Sequence, residues 1–171
     1  MAKKSSVAKN RTAVAGYPVY DRAAKKFLQT LLPYANESKI LRKKAGYSPR
    51  IAEPSLGLDV TFVSRSKMRG LNRKFRGKDE PTDVLSFPAL EVFARQGHLG
   101  DLVICAPVLE KQADEIGHPA KQELRVLLVH GLLHLLGFDH ERSDRDASEM
   151  SEWEQKILGD TGLIKRVSSA G

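Results

Sequence analysis

A chain of 171 residues with 41% hydrophobic side chains can bury one sizeable core and leaves no room for a second full domain. Its net charge of +7 is lopsided: residues 1–78 hold 19 Lys and Arg against 4 Asp and Glu, whereas residues 79–171 hold 9 against 17. The basic half suits a polyanion, nucleic acid above all. No apolar run nears the roughly 18 residues of a membrane span and no apolar leader follows Met1, so the expectation is a cytoplasmic protein without a membrane partner.

In chain order, residues 1–16 read as a flexible basic tail, with too little apolar surface to offset the entropy of ordering. The tail either touches RNA or has no role. Ala24, Phe27, Leu28, Leu31 and Leu32 fall at helical spacing and predict an amphipathic helix over 21–34. Residues 36–54, broken by Gly46, Pro49 and Pro54, read as a loop. Residues 58–63 alternate and are β-branched, which predicts a strand. Ser64 or Ser66 then caps a helix carrying Met68, Leu71 and Phe75. Seven cations ride on that helix and the loop after it: Arg65, Lys67, Arg69, Arg73, Lys74, Arg76 and Lys78.

Gly77 and Pro81 break the chain before a short strand over 83–87, ended by Pro88, and a second strand follows Gly100 over 101–105. The one cysteine, Cys105, has no intrachain partner and reads as buried and structural. Residues 107–116 form a helix stopped by Gly117, and Pro119 suits the first turn of the next one, over 120–136. The latter is so rich in Leu and Val that it must be central, surrounded by other elements. Ser143 caps a last helix with Ala147, Met150, Trp153 and Ile157 inward and Gly159 at its end. The order of elements predicts a single α+β domain over 17–167, a small mixed β-sheet packed with helices.

Three of the five histidines fall within His130-Gly131-Leu132-Leu133-His134-Leu135-Leu136-Gly137-Phe138-Asp139-His140. Residues four apart on a helix share a face, so His130 and His134 can grip one ion. Gly137 stands where a helix end needs the left-handed conformation, letting the chain bring His140 to the same point. Three nitrogen ligands with one place open favour a catalytic over a structural zinc site. The spacing is that of the metzincin proteases, and the central helix is zincin-like; but the glutamate base those enzymes carry after the first histidine is replaced by Gly131, which disfavours peptidase chemistry. Asp139 either orients a histidine or closes the turn. Asp83 and Asp101 either line the cleft or satisfy local backbone donors, and His98 and His118 read as surface residues.

The histidine motif, together with Leu71-Asn72-Arg73-Lys74-Phe75-Arg76-Gly77-Lys78-Asp79-Glu80-Pro81-Thr82-Asp83-Val84-Leu85-Ser86-Phe87-Pro88 and Leu99-Gly100-Asp101-Leu102-Val103-Ile104, resembles the bacterial YbeY family. The resemblance covers about residues 58–157 with the motifs in the family's order, and is weaker over the first 57, where the family's opening strand is not evident. It implies a zinc-dependent, single-strand-specific endoribonuclease, with one zinc per chain, acting in maturation of the 3′ end of small-subunit ribosomal RNA and in ribosome quality control. It places the family's metal ligands on His130, His134 and His140 and its catalytic arginine on Arg76. Implied partners are single-stranded and ribosomal RNA, the small subunit, and its associated proteins or a GTPase.

The chemistry is consistent with that implication. A ribose phosphodiester gathers negative charge as phosphorus becomes five-coordinate, and a planar guanidinium such as that of Arg76 meets its oxygens better than a lysine does. Zinc can polarise a phosphoryl oxygen or activate water, and attack by water or by the substrate's own 2′-hydroxyl both remain open. Two rival readings are a non-catalytic RNA- or ribosome-binding assembly factor with structural zinc, and a metal hydrolase for peptides or small molecules.

Overall fold

The structure, a computed structural model, describes residues 17–37, 57–94 and 97–160. The basic tail and residues 38–54 of the expected loop lie outside them. In chain order the elements are α1 (Pro18–Glu37), β1 (Leu58–Val63), α2 (Arg65–Arg76), β2 (Val84–Pro88), α3 (Glu91–Ala94), β3 (Gly100–Cys105), α4 (Ala106–Ile116), α5 (Ala120–Leu135) and α6 (Asp144–Asp160). The fold is the small α+β domain expected, a three-stranded mixed sheet packed with helices.

The sheet order is β1-β3-β2. β3 runs parallel to β1, with Leu58 opposite Gly100 and Val63 opposite Cys105, and antiparallel to β2, with Val84 opposite Ile104 and Pro88 opposite Gly100. Strand alternation gives the sheet two different faces. Val60, Phe62, Leu102 and Ile104 point into the main core, where they meet Ala24, Phe27 and Leu31 of α1 and the apolar side chains of α5. On the other face Val63, Leu85 and Cys105 form a smaller cluster with Met68 of α2. Burial pushes the Cys105 thiol up, which suits a structural role.

Ten of the sixteen residues of α5 are buried, and the helix is packed by α1, α4, α6, β2 and β3, which accounts for its lack of a polar stripe. At Gly131 it comes close to the sheet: a Cβ there would lie 2.7 Å from Cδ2 of Leu102.

Several boundaries differ from the sequence expectation. α1 begins three residues earlier, at Pro18, and runs on through Asn36 and Glu37. Ser64 rather than Ser66 caps α2, accepting from the Lys67 N–H at 3.3 Å. Pro119 sits just outside α5, as its N-cap. α6 passes through Gly159 to Asp160, because the buried Ile157 and Leu158 dock the last turn and offset the roughly 1 kcal/mol that a helical glycine costs. The short α3 was not foreseen.

Candidate metal centre

The end of α5 delivers the histidines. The Phe138 N–H donates to the Leu133 carbonyl at 3.0 Å and the Gly137 N–H to the His134 carbonyl at 3.0 Å, with Gly137 at φ 93° and Phe138 buried as a plug beneath the turn. This reversal carries His140 back over the helix. One ring nitrogen from each of His130, His134 and His140 lies within 4.8 Å of the others. Nε2 of His130 and Nε2 of His134 are 3.1 Å apart, close to the separation of about 3.3 Å between two nitrogens on one tetrahedral zinc.

Electrostatics prepares the same donors. Burial, with the neighbouring His130 and His140 adding to it, pushes the His134 imidazole down to about 4, so at neutral pH it is an uncharged donor. His130 is held from behind: its Nδ1 lies 2.5 Å from Oε1 of Glu154, on α6. Three converging imidazoles, one kept neutral and one braced by a carboxylate, fit a divalent cation of zinc's preferences.

A groove of about 730 Å³ opens over this cluster. It is lined from α5 and the turn after it by His130, His134 and His140, and from α2, the loop after it and β2 by Asn72, Arg76, Lys78, Asp83 and Ser86. Arg76 is exposed at the last residue of α2, whose end is fixed by Gly77 in the left-handed conformation (φ 71°), its N–H donating to the Arg73 carbonyl at 3.2 Å. Asn72, buried on the same helix, donates from Nδ2 to the Glu80 carbonyl at 2.8 Å and so pins the loop that follows. Arg69 and Arg73 are instead turned to Asp79, whose carboxyl Arg69 holds below the usual carboxylate range.

The remaining candidates sort cleanly. Asp139 closes the turn, accepting from the Glu141 N–H at 2.9 Å and lying 3.8 Å from Arg142, and the carboxylate hydrogen-bonded to a histidine of the cluster is Glu154. Asp83 does both things considered for it: it lines the groove and accepts from the Val84 N–H and from Gln112. Asp101 does not line the groove; it sits with Asp59 and His98 at the start of β1 and β3. Nor are His98 and His118 simple surface residues. His98 is half-buried in that cluster, and His118, 14% exposed, pairs at 2.7 Å with the fully buried Glu123. Sequence reasoning missed Glu154, Asn72 and Glu123. The first and last shared a readable sign, a carboxylate set within an apolar helical stripe.

Fold and site together define a single α+β domain whose central helix and following turn present a three-histidine cluster in one groove with a basic helix end. The chain matches the family described as Endoribonuclease YbeY over residues 18–162, and it belongs to that family. It is 47% identical over 103 residues to the endoribonuclease YbeY of Persephonella marina, covering 59% of this chain and 67% of that one. It is 42% identical over 141 residues to that of Bacillus cytotoxicus, covering 76% and 88%. In fold it is similar to the solution structure of TM1509 from Thermotoga maritima, with a TM-score of 0.51 at 22% identity, over 94% of this chain and 96% of that one.

Proposed function

We propose that this chain, through a domain spanning residues 17–167, is a zinc-dependent endoribonuclease that cuts single-stranded RNA. Its place is ribosomal RNA maturation, at the 3′ end of the small-subunit RNA, and ribosome quality control in the cytoplasm, in contact with the small subunit and its associated proteins or GTPase. Family membership supports the reaction class, since the relatives are named as endoribonucleases. The observation that carries the mechanism is that Arg76 and the three histidines line one groove.

His130, His134 and His140 would hold one zinc ion, which when bound supplies Lewis-acid polarisation of a phosphoryl oxygen. Arg76 presents its guanidinium fork to the nonbridging oxygens, where it stabilises the charge that builds on phosphorus. Lys78 adds attraction for the phosphate backbone, and Asn72 keeps the loop carrying it in place. Gly131 supplies no base; its position faces Leu102 in the core, so the peptidase arrangement has no room to form.

The test uses the purified, zinc-loaded chain and a single-stranded RNA bearing a small-subunit 3′ end. His134→Ala loses both zinc and cutting. Arg76→Glu loses cutting by about 10²-fold or more while keeping its zinc. Unchanged cutting in Arg76→Glu would take that arginine out of the mechanism. A wild-type chain that is fully zinc-loaded and binds small subunits, yet never cuts, would instead be an assembly factor with structural zinc.

A further inference from the structure

The hydrogen bond from α6 to the first histidine has a direction. A carboxylate oxygen accepts, so the 2.5 Å contact between Glu154 Oε1 and His130 Nδ1 puts the ring proton on Nδ1. Nε2 of the same ring is then left with its lone pair, and Nε2 is the atom that faces His134 at 3.1 Å. We propose that Glu154 is a positioning residue for the metal centre, fixing the tautomer and ring angle of His130 so that Nε2 is presented to the ion before the ion arrives.

The placement is built rather than incidental. Glu154 follows Met150 by four residues and precedes Ile157 by three, so it rides the face of α6 that docks on the core, where Met150, Ile157 and Leu158 are buried and Trp153 packs beside them. The helix start is fixed by Ser143, whose Oγ accepts from the Asp146 N–H at 3.1 Å. Glu154 itself does not line the groove. It stands behind the imidazole, on the Nδ1 side and outside the groove, which sets it apart from the base that Gly131 fails to provide. The other helical ligand, His134, is steadied by a different device, a hydrogen bond to the backbone of Phe138. The last helix is therefore part of the metal site, although it contributes no ligand.

The inference rests on the metal-centre reading, and the test separates the two. Zinc affinity of the full chain is measured by competition with a chromophoric chelator for wild type, Glu154→Ala and Glu154→Gln, with the fold of the metal-free proteins followed by circular dichroism. Glu154→Ala should bind zinc about 10–100-fold more weakly while keeping its fold, and Glu154→Gln, whose amide oxygen still accepts, should fall between. A carboxylate that only holds α6 in place would lower the melting temperature of the metal-free protein and leave zinc affinity within about twofold, which would overturn the proposal. If Glu154→Ala does not fold, the Gln variant decides by the same criterion. Nitrogen NMR of labelled histidine in the metal-free wild type adds a check: a proton on Nδ1 of His130 is expected, and a proton on Nε2 would overturn the proposal. A wild type that binds no zinc would remove the metal centre itself.

Discussion

The two walls of the groove are made of helices with opposite characters. α5 has ten buried residues out of sixteen, and its histidines are braced from the turn and from α6; α2 buries only Met68 and Asn72 and leaves its cations in solvent. The difference suits what each wall is proposed to bind. A metal ion demands donors placed to a fraction of an ångström, and rigid burial supplies that placement. A phosphate backbone responds to charge over distances near the Debye length of about 8 Å, so long side chains on an exposed helix serve it well.

The largest effect is expected where the rigid wall meets the sheet. Gly131→Glu, which restores the residue pattern of a zinc peptidase, should yield no peptidase. A Cβ there would lie 2.7 Å from Leu102, which is fully buried, so the new carboxylate would be buried without a partner. A loss of at least about 3 kcal/mol is expected, a large share of a domain's stability, seen as a collapse of the urea midpoint. A variant that folds as firmly as wild type would show that α5 and β3 are not in tight contact.

A smaller effect is expected from pH, again on the rigid wall. In the fold His134 is pushed down to about 4 from an ordinary value of 6.5, so between those values the unfolded chain binds the proton more readily. Stability of the metal-free protein should then rise with pH from about 4 to 6.5 and fall on acidification, with a slope below one proton because the ring is partly solvated. Urea unfolding in the presence of a chelator across that range measures it. His134→Gln should flatten the slope, and an equal slope in the variant would assign it to other groups.

The contrast between the walls also explains what was legible in the sequence. The elements of the rigid wall announce themselves by spacing, because a histidine pair four apart, a turn glycine and an all-apolar helix are local patterns. Arg76 was legible through its motif, and its exposure at the end of α2 is a matter of local helix termination by Gly77. The partners that brace the site were not. Glu154 reaches His130 across 24 residues of sequence and Asn72 reaches the Glu80 carbonyl across a loop; spacing can mark Glu154 as facing the core, but which partner each meets depends on how the elements pack. The His118–Glu123 pair was missed because a histidine outside the motif was read as a surface residue, whereas packing of α5 buries its partner completely.

The smallest effect is expected on the solvated wall, where a charge can be removed without harm to the fold. Asp79 holds Arg69 through two hydrogen bonds, at 2.7 and 3.0 Å, and sits 3.8 Å from Arg73, so it occupies two of the guanidiniums on the basic helix. All three side chains are exposed, and such pairs contribute little to stability. Asp79→Asn should therefore leave the urea midpoint where it is, while freeing cations for RNA. Binding of single-stranded RNA at low salt should tighten several-fold, and the slope of log affinity against log salt should steepen by about 0.7 for each new phosphate contact, with the two proteins converging at high salt. An unchanged slope would confine phosphate binding to Arg76 and Lys78. Weaker binding would mean that Asp79 holds Arg69 in the orientation RNA requires, giving the adaptable wall a fixed point of its own.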